Sequence, residues 1–220
     1  NADISIAYID STDKKRTSIP EDIPSVCKRT EAMDLLCLCK IYSGATCKLY
    51  KTELLQKTPF IESVAYEDVL FLFEAIGKSD MVAICRRILY HYIKRTGSIT
   101  QTRSVRNFLD LLKAFNDAAA YIRNQYSACD YPYIHIMVTY WFELEYSFHK
   151  YHCVKLMSKQ ELTYVKNELQ KIRSDALQGI SNSKGIKISG KAGIRLFMMK
   201  YMPMLCYPAK EVYRTIFLRY

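Results

Sequence analysis

Apolar positions in the second half of the chain recur at helical spacing. Val105, Phe108, Leu112, Phe115, Ala119, Ile122 and Tyr126 step by three and four residues, as do Ile134, Met137, Trp141, Leu144 and Phe148. Leu162, Val165, Leu169, Ile172 and Ala176 repeat the pattern, and Ser158 with Glu161 ahead of them forms a capping-box signature. These stripes predict three helices joined by short polar turns, packed as antiparallel neighbours in a bundle. The run "YPYIHIMVTYWF" also holds enough β-branched and aromatic residues for a strand, although its spacing favours a helix. In the first half, Met33, Leu36, Cys37 and Ile41 predict a helix after Thr30, and "CKLYKTELLQKT" a short one before Pro59. Val69, Leu72, Phe73 and Ile76 predict another, ending near Gly77. Ser79 would cap a following helix carrying Met81, Ile84, Cys85, Ile88, Leu89 and Tyr92. "ISIAYI" reads as a short strand or a helical turn. The expected fold class is therefore all-α, in two helical units. The divisions are an N-terminal extension 1–25, a helical unit 26–95, a linker 96–103 overlapping the polar stretch "KRTGSITQT" (94–102), and a bundle 104–220 with a basic C-terminal segment.

Composition supports helices: with 7 Gly and 6 Pro in 220 residues, the chain lacks the punctuation of a turn-rich β fold. The net charge is +10, unevenly placed. Residues 181–220 carry eight Lys and Arg against Glu211, a net +7, so the preceding 180 residues are nearly balanced. A basic end of this kind suits nucleic acid, an anionic surface or an acidic protein. Eight cysteines sit mostly in apolar periodic runs with no leader-like segment ahead of them, which predicts reduced thiols and a cytoplasmic location, with the nucleus as an alternative. No apolar run is long enough to span a membrane.

Candidate chemistry is sparse. "GIKISGKA" (185–192) approaches a phosphate-binding loop, but it lacks a preceding strand, and Ala192 stands where a magnesium-holding hydroxyl belongs. Cys27, Cys37, Cys39 and Cys47 do not have the pair spacing of a zinc site, and Cys37 and Cys39 would point about 200° apart on a helix. His149, His152 and Cys153 share a helical face without a further ligand pair. Glu143 and Glu145 fall on different helical faces. The sequence thus predicts no metal, no cofactor and no catalytic residue, and the chain reads as a non-enzyme. Tyr201, Tyr207, Tyr213 and Tyr220 lie among the basic residues, where they could stack on bases.

The segment 26–95 resembles the death-effector-domain family on short motifs. "LLCLC" (Leu35–Cys39) is similar to the apolar run of that family's second helix. "EDVLFLFEAIG" is similar to its fifth helix. Lys78-Ser79-Asp80-Met81 stands where the sixth helix opens with Arg-x-Asp-Leu, followed by "CRRIL". The resemblance implies a six-helix death fold used for homotypic association in apoptotic or inflammatory signalling. It implies that Lys78 and Asp80 belong to a charge triad, whose helix-two position holds Arg29 here, and that Leu35 and Leu36 form a surface patch for partners. Arg86 and Arg87 continue that surface.

The function this predicts is a non-enzymatic protein–protein interaction adaptor or modulator, binding death-fold proteins or a second copy of itself through Leu35, Leu36, Lys78, Asp80, Arg86 and Arg87. The alternative is a nucleic-acid or anionic-surface binder acting through the basic segment, with Lys184, Lys187, Lys191 and Arg195 as contacts. A helical scaffold that assembles with itself, viral in origin or in host–virus contact, is a third reading.

Overall fold

The computed structural model describes residues 2–11, 23–62, 64–93, 104–151, 153–183, 190–206 and 208. The chain divides into two compact units, Asn1–Ser98 and Ile99–Tyr220.

The first unit is built on a mixed sheet of four strands, β1 (Ile4–Ser11), β2 (Val26–Lys28), β3 (Lys48–Tyr50) and β4 (Met81–Tyr92), in the order β2-β4-β1-β3. Strand β4 runs parallel to β1, pairing Ile4 with Val82 and Ile6 with Ile84. The edge strands pair antiparallel, β3 to β1 and β2 to β4. Alternate residues on the central strands, Ile4, Ile6, Tyr8, Val82 and Ile84, are buried, as the two-residue period of a strand requires. Between strands the chain forms α1 (Arg29–Cys37), α2 (Thr52–Gln56) and α3 (Glu67–Lys78). Helices α1 and α3 pack on each other. Met33 and Leu36 of α1 and Leu72, Phe73 and Ile76 of α3 are all buried.

This sheet corrects the all-α expectation, and with it the death-fold resemblance: the fold is α/β. The decisive element is residues 81–92, predicted as a helix and found as β4. Its apolar residues satisfy both periods, since Met81, Ile84 and Ile88 fit a helix while Val82 and Ile84 fit a strand. Ser79 does not open a helix; it ends α3, with extended backbone and its hydroxyl donating to the Ile76 carbonyl at 2.8 Å. The amides and carbonyls of β4 then pair with β1 on one side and β2 on the other. "ISIAYI" is β1, and the first residues of "CKLYKTELLQKT" form β3 before α2 begins.

The second unit is helical, with α4 (Val105–Arg123), α5 (Tyr131–Lys150), α6 (Cys153–Leu156), α7 (Lys159–Asn182), α8 (Gly190–Tyr201) and a 3₁₀ turn at Pro203–Leu205. Phe108, Leu112, Ile122, Ile134, Met137, Trp141, Leu144, Phe148, Val165, Leu169, Ile172 and Ala176 are buried, so the three predicted stripes face the core. Helix α5 is central, packing on α4, α7 and α8. The run "YPYIHIMVTYWF" is helical and carries Pro132 in its first turn, where the missing N–H has no helical partner to lose. Ser104 caps α4, and Ser158 with Glu161 forms the full capping box of α7. Among the described residues, no helix is long and apolar enough to cross a membrane.

Candidate functional site

The residues nominated from the sequence do not form one surface. Leu35 and Leu36 are 7% and 2% exposed, inside the core of the first unit, and so offer no patch to a partner. Lys78 ends α3, its Nζ donating to the Lys57 carbonyl at 2.7 Å and to Glu74 at 3.3 Å. Asp80 is exposed at the start of β4, and its amide donates to the Asp3 carboxylate at 2.7 Å. Arg86 reaches back along the sheet, with Nε donating to the Ile23 carbonyl at 3.1 Å, while Arg87 is exposed on β4. The corner at residues 77–81 is the junction of a helix with an inner strand.

The basic segment fares differently along its length. Lys184 and Lys187 lie outside the described residues, as do Tyr207, Tyr213, Tyr220 and the linker 96–103. Lys191 is exposed in the first turn of α8. Arg195 turns inward: its guanidinium donates to Thr139 Oγ1 at 3.1 Å, lies 3.6 Å from Glu143 and sits over the Phe142 ring. Arg195 therefore clamps α8 onto α5. Arg173 of α7 supports the far end of α8, with Nε donating to the Met199 carbonyl at 2.8 Å and Nη2 to the Lys200 carbonyl at 3.2 Å. Those carbonyls belong to the last turn of α8, which has no intrahelical donors for them.

Clamped on that side, α8 presents its other side outward. Ile194, Phe197, Tyr201 and Met204 step by three and four residues and are 64%, 54%, 62% and 82% exposed. Leu205 widens the stripe. The Phe197 and Tyr201 rings lie 5.1 Å apart, and Lys200 Nζ lies 5.1 Å from the Tyr201 ring centre. Lys191 and Lys200 are both exposed on this helix. Isolated exposed apolar residues need no explanation, but a contiguous aromatic and aliphatic row flanked by cations is the composition of a contact surface. Its spacing is legible in the sequence; its outward direction is not, because a core-facing stripe has the same period.

Other nominated groups take structural places. His149 lies 3.4 Å from Glu145, Cys153 is buried with its thiol pushed up to about 11 by that burial, and His152 lies outside the described residues. Cys27 and Cys37 are buried and Cys39 is exposed, and all eight cysteines are free thiols. Among the described residues, no three His, Cys, Asp or Glu side chains gather as a metal site.

No family model matches this chain, and no curated protein matches it. A solved structure with some likeness is that of S. aureus TarS 1-349 in complex with UDP-GlcNAc, at a TM-score of 0.41 and 12% identity, covering 87% of this chain. The chain spans 63% of that chain's length. A likeness of this extent carries no argument about activity in either direction. The expectation that the chain is not an enzyme is nevertheless withdrawn. It rested on the absence of a recognisable nucleophile motif and of a matched His and Asp set in a sequence read as all-helical, and the sheet removes that all-helical frame.

Proposed function

We infer that this chain works by binding a partner protein, and that the outward face of α8 and the following 3₁₀ turn is the docking surface. The single observation that supports this most is the row Ile194, Phe197, Tyr201 and Met204, held outward because Arg195 and Arg173 fix the opposite side of the helix. Aromatic and methionine side chains give a large contact area, and Lys191 and Lys200 would flank it with positive charge. The complementary partner is an amphipathic segment with an apolar stripe and acidic flanks. The nucleic-acid alternative retains less, since Arg195 is engaged within the helical unit.

A photo-crosslinking amino acid placed at Phe197 of the full chain should give a discrete protein adduct that the same group at Lys113 of α4 does not give. With the captured partner purified, Phe197→Asp should weaken binding at least tenfold, as expected for a central aromatic anchor. Raising salt from about 50 to 200 mM should change affinity only a few fold, whereas phosphate contacts would lose orders of magnitude. Adducts confined to nucleic acid or lipid, or full affinity in Phe197→Asp, would overturn the reading.

A further inference from the structure

The helical unit also carries an open cavity of about 410 Å³ between α5, α7 and the 3₁₀ turn. That volume suits a small organic molecule. Trp141 and Phe148 of α5, Leu169 of α7, and Pro203 and Met204 of the turn make its apolar walls. Glu145 and His149 of α5 and Lys166, Gln170 and Arg173 of α7 supply the polar lining. Helical spacing explains the gathering: residues 141, 145, 148 and 149 share one face of α5, and 166, 169, 170 and 173 share one face of α7.

The charges are not balanced. Glu145 has a partner in His149 at 3.4 Å, and burial raises its carboxyl above the ordinary range against the pull of His149 and Arg173. The two cations of α7 then leave the lining with an excess of positive charge. Arg173 is held in place through its bonds to the end of α8, and Lys166 is exposed at the mouth. We propose that this cavity binds a small ligand with a flat apolar ring body and one anionic group. The rings would lie against Trp141, Phe148, Leu169 and Met204, and the anion would meet Lys166 and Arg173. The site adjoins the docking face through Met204, and the substitutions that test it, at Lys166 and Gln170, leave Ile194, Phe197, Tyr201 and Met204 untouched.

Trp141 is the only tryptophan in the chain and lines the cavity, so energy transfer from it reports occupancy. Two probes separate the ring body from the charge. 1-Anilinonaphthalene-8-sulfonate carries both, and N-phenyl-1-naphthylamine has the same rings without the sulfonate. Titrated into the full chain, the sulfonate should give saturable, one-to-one transfer and bind about three- to tenfold tighter than the neutral probe. Lys166→Glu should erase that preference and leave the neutral probe unchanged. Gln170→Phe, placed at an exposed position of the lining, should weaken both probes with an unaltered circular dichroism spectrum. Absence of saturable transfer, transfer insensitive to Gln170→Phe, or a preference that survives Lys166→Glu would each overturn the proposal.

Discussion

Asp3 was invisible as a key residue in the sequence, yet three elements meet on it. Its Oδ1 accepts from Lys51 Nζ at 2.8 Å, and its Oδ2 accepts from the amides of Asp80 and Met81 at 2.7 and 3.1 Å. The Lys51 hydrogen bond, then those two amides, hold its carboxyl down to about 2. A carboxyl depressed in the folded state stabilises fully above its ordinary value of 3.8, and that contribution is lost as pH falls through about 2. Asp3→Ala should therefore cost about 1–2 kcal/mol at neutral pH, allowing for solvent screening at this partly exposed site. In urea titrations the gap between variant and parent should close on acidification below about pH 3. Lys48 holds a loop in a similar way. Its Nζ donates to the carbonyls of Tyr42, Gly44 and Thr46 at 2.8, 2.5 and 3.3 Å, and burial brings it down to about 8. Three acceptors match the three protons of an ammonium group. Lys48→Met should lower the urea midpoint of the first unit by an amount worth about 1 kcal/mol, because three carbonyls of a partly exposed loop lose their shared donor. Nothing in local spacing marks either residue, since each bonds groups far along the chain or in a loop of no regular pattern.

Among the elements, the contrast lies between β4 and α7. Helix α7 carries its own instructions: a capping box at its start, a repeating apolar stripe, and polar residues elsewhere. Its backbone hydrogen bonds are local, so its sequence suffices. Ser158→Ala should cost about 1 kcal/mol of thermal stability by removing the cap. Gly179 was not singled out, but a Cβ there would press into the Ala128 carbonyl oxygen and come within 3.3 Å of Ile134 Cγ1. Gly179→Ala should accordingly destabilise the helical unit by about 1–3 kcal/mol, visible as an earlier thermal transition. Strand β4 is the opposite case. Its residues fit two periods, and a strand completes its hydrogen bonds only with partners about eighty residues away in β1 and fifty-five in β2. The cap-like Ser79 and the loop-like Gly77 are as compatible with a helix stopping as with a second helix starting. That ambiguity produced the helical corner, and the corner carried the death-fold resemblance with it.

At the scale of the whole molecule, each unit closes its own core, with Leu72 and Phe73 in the first and Trp141 and Phe108 in the second. The position of Trp141 makes this testable. Leu72→Ala should cost the first unit about 2–4 kcal/mol and move the transition seen by far-ultraviolet circular dichroism. The transition seen by Trp141 fluorescence should stay where it is; a matching shift in both would show that the units unfold as one. The amino-acid sequence by itself determined the helices α4, α5 and α7 and the side of each that faces inward. Their bonds and repeats lie within a few residues of each other, so pattern alone specifies them. Only the tertiary structure decided that residues 81–92 are a strand, that Leu35 and Leu36 lie inside, that Arg195 is a clamp and that the row from Ile194 to Met204 faces outward. In each case the deciding partner is distant in sequence, and a period of three and four residues states that a face is apolar without stating what covers it.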